Sequence, residues 1–307
     1  MKKTVSLLLL ALLTSAAFCQ SKHKIELNLK PSQTFQIYSA TNQDITQTIM
    51  GNDQNVKTMM TGAMTFAVKE KLSDSYLLNV TIDSISMAIN SSYMTMAFSS
   101  NKKDTEGDYF SQALAGLTGL TFELKIGKNG KIEEFKGVED TLNSLISGFG
   151  IPEQNMEQLK GQLGQTFGDE AFKSSFETIF MIYPDKSVKT GESWNNKIEL
   201  NTGINIILQN TWTLKDYKKD EYIIDESSVI STKDTASVYQ LNGMPAKTNL
   251  TGEQTATYNL NSETGLIING ETNSTIKGVI SIQKNPQVPD GIDVPIKIIT
   301  KTTYKSL

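Results

Sequence analysis

Arginine is absent from this 307-residue sequence, and histidine and cysteine occur once each. All 29 basic residues are therefore lysine. Without arginine there is no bidentate guanidinium clamp for phosphate or carboxylate. His23 lies near the N-terminus, and Cys19 lies inside a leader-like segment. Ser-His-Asp and Cys-His nucleophile systems need a placed imidazole, and typical zinc sites draw on His and Cys, so both classes are excluded. No GxxxxGK[ST] loop occurs, and no GxGxxG follows a strand, so nucleotide binding has no motif behind it. The sequence thus offers no catalytic residue, no cofactor-binding residue and no metal ligand, and the expectation is a protein that is not an enzyme. The formal net charge of -4 makes nucleic acid an unsuitable partner. Beyond residues 5–13 no apolar run approaches about 18 residues, so no transmembrane span is expected.

That first apolar run has a job. Lys2 and Lys3 precede it and the small residues of 15–17 follow it, the three-part form of a signal peptide. A lipoprotein signal wants a small residue before its cysteine, and here Phe18 precedes Cys19. Ala17 and Cys19 instead fit the −3 and −1 positions, with cleavage before Gln20. Lipidation of Cys19 is the alternative. The expectation is an exported, periplasmic or extracellular protein, with a lipid-anchored outer-membrane form as the lesser option.

Residues 21–24 are polar and read as a frayed start. After them, period-two alternation dominates, the pattern of strands with one buried face. Met64, Phe66 and Val68 share one face, as do Tyr76, Leu78, Val80 and Ile82. The phase then slips to Ile85, Met87 and Ile89, which predicts a β-bulge near Asp83 and Ser84. Met94, Met96 and Phe98 form another strand, and Leu120, Phe122, Leu124 and Ile126 one more, closed by Asn129-Gly130.

The period changes in the middle. Helices are expected over 105–117, over 140–146, and from Pro152 to about Phe180, the last broken near Gly168. Strands then return. Ile198, Leu200, Ile204, Ile206, Leu208, Trp212 and Leu214 all sit at even positions, which reads as one long strand or two collinear ones with Gly203 as a bend. Further strands follow at 222–224, 256–260, 266–268 and 276–282, then a Pro-containing loop over 283–295 and a last strand with Val294, Ile296, Ile298 and Tyr304 on one face.

The expected fold is α+β and mostly antiparallel: two curved, half-barrel-like sheets with a helical segment between two strand-rich halves. The divisions are a signal peptide at 1–19, an N-terminal β half at 20–138, a helical segment at 139–183 and a C-terminal β half at 184–307. The adjacent acids Glu133-Glu134, Glu139-Asp140 and Asp169-Glu170 read as solvated turns and helix starts, since strand neighbours face opposite ways. The methionines gather in the first half, and flexible thioethers suit an adaptable apolar pocket as well as they suit a core. The candidate lining of such a pocket is Met64, Phe66, Met87, Met94, Met96 and Phe98.

The stretch from Phe180 to Trp194 reads FMIYPDKSVKTGESW. With Phe35 and the polar strand after it, GKNGKIEEFKG at 127–137 and the Thr264-Gly265-Leu266 turn, it resembles a family of secreted Bacteroidota envelope proteins carrying a domain of unknown function. The resemblance implies no catalytic motif. It implies a plan similar to the open half-barrels of periplasmic lipoprotein carriers, whose curved sheet holds helices or acyl chains on its concave face. Phe18 before Cys19 departs from the lipoprotein members. Around Trp194 the pattern also makes structural sense alone: Pro184 ends a helix, Gly191 permits a turn, and Trp194 opens a strand with its ring inward.

The first functional expectation is a non-enzymatic exported protein binding an apolar ligand, a lipid or acyl chain, between sheet and helices. The alternative is a structural or assembly protein of the cell envelope with an envelope protein as partner. A carboxylate-only enzyme acting on glycans would require two facing acids in one cleft.

Overall fold

The computed structural model describes residues 21–101, 107–201, 205–241, 243–286 and 288–307. The expected signal peptide over 1–19, with Cys19, lies outside the described residues, as does the start of the first expected helix.

Four strands open the chain: β1 (Thr34–Ile49), β2 (Asn52–Lys71), β3 (Ser75–Ser91) and the short β4 (Thr95–Ser99). Helix α1 (Tyr109–Leu117) leads to the hairpin of β5 (Thr121–Gly127) and β6 (Ile132–Lys136). Three helices follow: α2 (Val138–Ser147), α3 (Glu153–Phe167) and α4 (Asp169–Phe180). The second half holds β7 (Ser193–Asn201), β8 (Asn205–Lys218), β9 (Glu221–Thr232), β10 (Tyr239–Leu241), β11 (Met244–Asn261), β12 (Ile267–Ile282) and β13 (Ile292–Ser306).

The α+β, half-barrel-like plan is as expected, and the two halves are continuous. β1 pairs with β13 over Ile37↔Ser306 to Gln47↔Ile296, which joins them into one 13-stranded antiparallel sheet. Its main path runs β6-β5-β3-β2-β1-β13-β12-β11-β9-β8-β7, with β4 on β3 and β10 on β11. The two ends of that path do not pair with each other, yet α4 packs against both β6 and β7. The sheet therefore curls until its end strands meet one helix, and α4 fills the gap of an open barrel. This also covers strand edges that would otherwise invite pairing.

The helices form because their apolar residues recur at three- and four-residue spacing. On α4 these are Phe172, Phe176, Ile179 and Phe180, all buried against the sheet. Gly168 ends α3 and caps α4, the expected break. Phe66 anchors the contact: its ring stacks on Phe35 at 5.0 Å and meets the edges of Phe176 and Phe180.

The expected bulge is present. Ala63 pairs with Ser84 and Met64 with Ile82, so Asp83 is the extra residue on β3. Its carboxylate is held by Gln36 Nε2 at 2.8 Å and Thr65 Oγ1 at 2.7 Å.

Three expectations are corrected. Residues 21–24 are not frayed. His23 and Val188 exchange two backbone hydrogen bonds, and the imidazole packs on Tyr217 with ring centroids 4.6 Å apart. Behind His23, Ile25, Leu27 and Leu29 alternate into the core, and the buried Tyr76 hydroxyl bridges Leu27 O and Leu29 N. Second, the even-numbered apolar run after Ile198 is not collinear: β7 and β8 are antiparallel, with Ile198↔Leu208 and Leu200↔Ile206. Partner numbers in this register share parity, so a fold-back keeps every even residue on one face and alternation cannot tell the two arrangements apart. The bend at Gly203 lies outside the described residues. Third, the loop before the last strand ends at Gly291, and Pro295 lies within β13, one residue beyond Ile296, where the pairing with β1 stops.

Candidate functional site

Between the concave sheet face and α3–α4 lies a groove of about 410 Å³. β1 to β3 supply Ser39, Met60, Met64 and Ile85; the end of α3 and α4 supply Phe167, Ala171, Phe172 and Thr178; β7 supplies Leu200. No lining residue carries a charge. The groove exists because α4 spans from β6 to β7 and presents its smaller residues, Ala171, Ser174, Ser175 and Thr178, towards the middle of the sheet.

Of the six expected lining residues, Met64 is in this groove. Phe66, two residues on, is 1% exposed and belongs to the core. Met87 is buried on β3, opposite Met60 on one side and Phe98 on the other. Met96 and Phe98 line a separate cleft of about 270 Å³ between β4, α1 and α3. Met94 is exposed beside the exposed Tyr93. The six therefore do not share one wall: Phe66 is covered by Phe176 and Phe180 of α4, and Met96 and Phe98 lie further along the sheet against α1 and α3.

The groove adjoins a second cavity of about 170 Å³, and Thr178 lines both. Here the walls are polar: Glu226 on β9, Gln254 and Tyr258 on β11, Thr272 on β12, and Thr302 and Tyr304 on β13, with Trp212 on β8 closing one side. Glu226 is only 5% exposed. Gln254 Nε2 donates to both of its carboxyl oxygens at 3.1 Å, and Ser228 Oγ lies in hydrogen-bond contact with Oε1. Burial pushes the Glu226 pKa up, against the pull of those hydrogen bonds. Burial also raises the phenol of Tyr258, which bonds Thr272 Oγ1 at 3.0 Å, and pushes Tyr304 up to about 12.

A polar chain runs from this cavity to the motif singled out around Trp194. Trp194 Nε1 donates to Ile182 O at 3.0 Å, which fixes the segment after α4 to the start of β7. Asn196 donates to Met181 O, and its Oδ1 accepts from Asn210 Nδ2 at 2.9 Å and Trp212 Nε1 at 3.0 Å. Asn210 Oδ1 in turn accepts from Ser228 Oγ at 2.7 Å. The sequence reading missed this group. The available clue was Glu226 at an even position in β9, in phase with Tyr222, Ile224 and Ile230, which places an acid on a buried face.

The adjacent acids serve structure. Glu133 and Glu134 on β6 pair with Lys125 and Lys136. Glu139 and Asp140 sit in the first turn of α2, and Asp169 and Glu170 in that of α4. Among the described residues no three His, Cys, Asp or Glu side chains gather as a metal site. Among them, too, no helix is long and apolar enough to cross a membrane.

A model of DUF6263, described as a family of unknown function, matches residues 73–267, from just before β3 to the start of β12. No curated protein matches the chain. Among solved structures, a lipovitellin structure titled for its lipid–protein interactions aligns with 91% of this chain at 10% identity and a TM-score of 0.48. The chain spans 25% of the length of that lipovitellin chain. An outer membrane channel from Pseudomonas putida F1 aligns with 92% of this chain and 97% of its own at 7% identity and a TM-score of 0.26. Salmonella typhi OmpF in complex with daunomycin aligns with 90% of this chain and 99% of its own at 8% identity and a TM-score of 0.22.

Proposed function

The chain belongs to that family of unknown function, and from this premise we propose that it is an exported, non-enzymatic protein that binds an apolar ligand, a lipid or acyl chain, between its sheet and its helices. The observation that carries the reading is the uncharged groove of about 410 Å³ under α4. Ligand sites are concave, mostly apolar and of a few hundred Å³, and the thioethers of Met60 and Met64 give this one an adaptable wall. The groove and its polar neighbour hold a single carboxylate, Glu226, whereas glycoside hydrolysis needs two facing each other.

Native mass spectrometry of the protein purified from its own cell envelope, beside a solvent-extracted sample, tests this. The expected result is an extra mass that disappears on extraction and is identified as lipid. A bare polypeptide mass in both samples would overturn the reading.

A second reading, a structural or assembly protein of the envelope, draws on a different observation. Tyr93, Met94 and Met96 around the β3–β4 hairpin are exposed apolar side chains on one projection. A discrete oligomer in the same spectrum would favour it.

A further inference from the structure

The hydrogen-bond chain beside the groove ends at Glu226. Trp212 Nε1 can only donate, so the Asn196 atom it meets at 3.0 Å is the carbonyl oxygen, which leaves the Asn196 amide nitrogen facing Met181 O. The Asn210 atom at 2.9 Å from that same oxygen must then be its amide nitrogen, and Asn210 Oδ1 faces Ser228. Ser228 has one proton and faces two acceptors, Asn210 Oδ1 at 2.7 Å and Glu226 Oε1. A carboxylate at Glu226 leaves one of these two contacts without a hydrogen, whereas a carboxylic acid donating to Ser228 completes both. A protonated Glu226 is thus the form that the orientations of Asn196 and Asn210, fixed by the donor-only indole, favour. Burial, which raises its pKa, acts in the same direction. The titratable groups that face it from the packed strands are Tyr258 and Tyr304, and no lysine lines the cavity.

We propose that the groove and this cavity form one bipartite site for a neutral amphiphile, with the acyl chain under α4 and an uncharged, hydroxyl-bearing head group beside Glu226. The inference rests on the apolar-ligand reading of the groove and adds the class of head group. Thr178 lines both spaces. The smaller one, about 170 Å³, has the volume of about six water molecules, enough for a glycerol-sized group. Its donors and acceptors are hydroxyls, an amide and a protonated carboxyl, all uncharged. An anionic head would be stripped of water with no cation to meet it. A cationic head would draw the proton from Glu226 and leave Ser228 with one hydrogen between two acceptors.

The test uses three ligands with the same chain: 1-monooleoylglycerol, oleate and oleylamine, titrated into the full chain at neutral pH by calorimetry. Monooleoylglycerol is expected to bind about tenfold or more tightly than either charged ligand, the loss expected when a buried polar group is left unpaired. Glu226→Gln, which keeps an uncharged donor to Ser228 and removes the titration, is expected to melt above wild type at neutral pH. Independently of any ligand, the infrared difference between wild type and Glu226→Gln is expected to show the C=O stretch of a protonated carboxyl at neutral pH. Oleate or oleylamine binding as tightly as monooleoylglycerol would overturn the head-group assignment while leaving the groove as an apolar site. A missing protonated-carboxyl band would overturn it as well. No binding by any of the three would overturn the groove reading along with it.

Discussion

The carboxylate of Asp169, the first residue of α4, accepts a hydrogen bond from the backbone N–H of Val138, the first residue of α2, at 2.8 Å. It also takes the N–H groups of Gly137 and Glu139 at 3.0 and 3.3 Å. The cap of α2 thus comes from another helix, because Gly137 at its own N-cap position has no side chain to give. One residue of the α3–α4 break satisfies three otherwise orphaned donors and adds a negative charge at a helix N-terminus. Asp169→Ala is expected to destabilise the protein by about 1–2 kcal/mol, and Asp169→Asn by less, since the amide oxygen keeps part of the cap. Urea unfolding followed by circular dichroism measures both, and equal losses would show that the charged carboxylate, not a neutral oxygen, makes the cap.

Gly130 closes the β5–β6 hairpin with φ at +79°, and a Cβ placed there would lie 1.6 Å from the backbone oxygen of Phe180. That contact brings the hairpin turn against the C-terminal end of α4. Gly51 has the same φ of +79° in the β1–β2 turn, with nothing within 4 Å of its Cβ position. The pair separates conformational strain from collision. Gly51→Ala is expected to cost about 1 kcal/mol, the left-handed penalty alone, and Gly130→Ala about 2–4 kcal/mol, because displaced backbone adds to it. Equal losses in thermal melts of the two variants would argue against the close approach.

What could be read from the residues depended on whether the determinant was local. The bulge at Asp83 was legible because a slip in alternation reverses which side chains are buried within a single strand. The α3–α4 break at Gly168 was legible for a similar reason. The β7–β8 hairpin was not, since its even-parity register leaves the same pattern as a straight strand. The anchoring of His23 to Val188 joins segments far apart in sequence, as does the joining of both halves through β1 and β13, so no short window records either. Composition pointed to methionines near an apolar space, but Met64 faces the groove while Phe66 fills the core, a difference set by Phe176 and Phe180 arriving from α4.

Ala171 offers a way to close the groove without touching the core. It is half-buried on α4 and lines the groove beside Phe172. Ala171→Trp is expected to fill the space with an indole and abolish any lipid mass carried by the purified protein. Its partly open position leaves the stability change within about 1 kcal/mol. Native mass spectrometry with a thermal melt of the same sample checks both halves. A variant that keeps its lipid and its melting temperature would place the ligand elsewhere.

The stability of the fold should also record the buried acid. Glu226 has its pKa raised from 4.5 in the folded state, chiefly by burial. Between 4.5 and the raised value, the native state holds a proton that the unfolded chain has lost. The contribution is fully present below pH 4.5 and is lost as pH rises through that window, with a slope of at most about 1.4 kcal/mol per pH unit for one proton. Above the raised value the slope vanishes. Glu226→Gln removes the titration while keeping a neutral donor at Ser228. Relative to wild type, the variant should therefore become steadily more stable from pH 4.5 upwards and level off beyond the folded pKa. Glu199 works in the opposite sense at lower pH. Lys197 and Lys233 hold it down to about 2, so its contribution is present above 4.5 and fades as pH falls towards 2. Because Glu199 is common to both proteins, the difference between Glu226→Gln and wild type isolates Glu226. Urea unfolding of the two proteins across pH 4.5 to 8 supplies the measurement, and a difference that does not change with pH would mean that Glu226 is already ionised in the native fold.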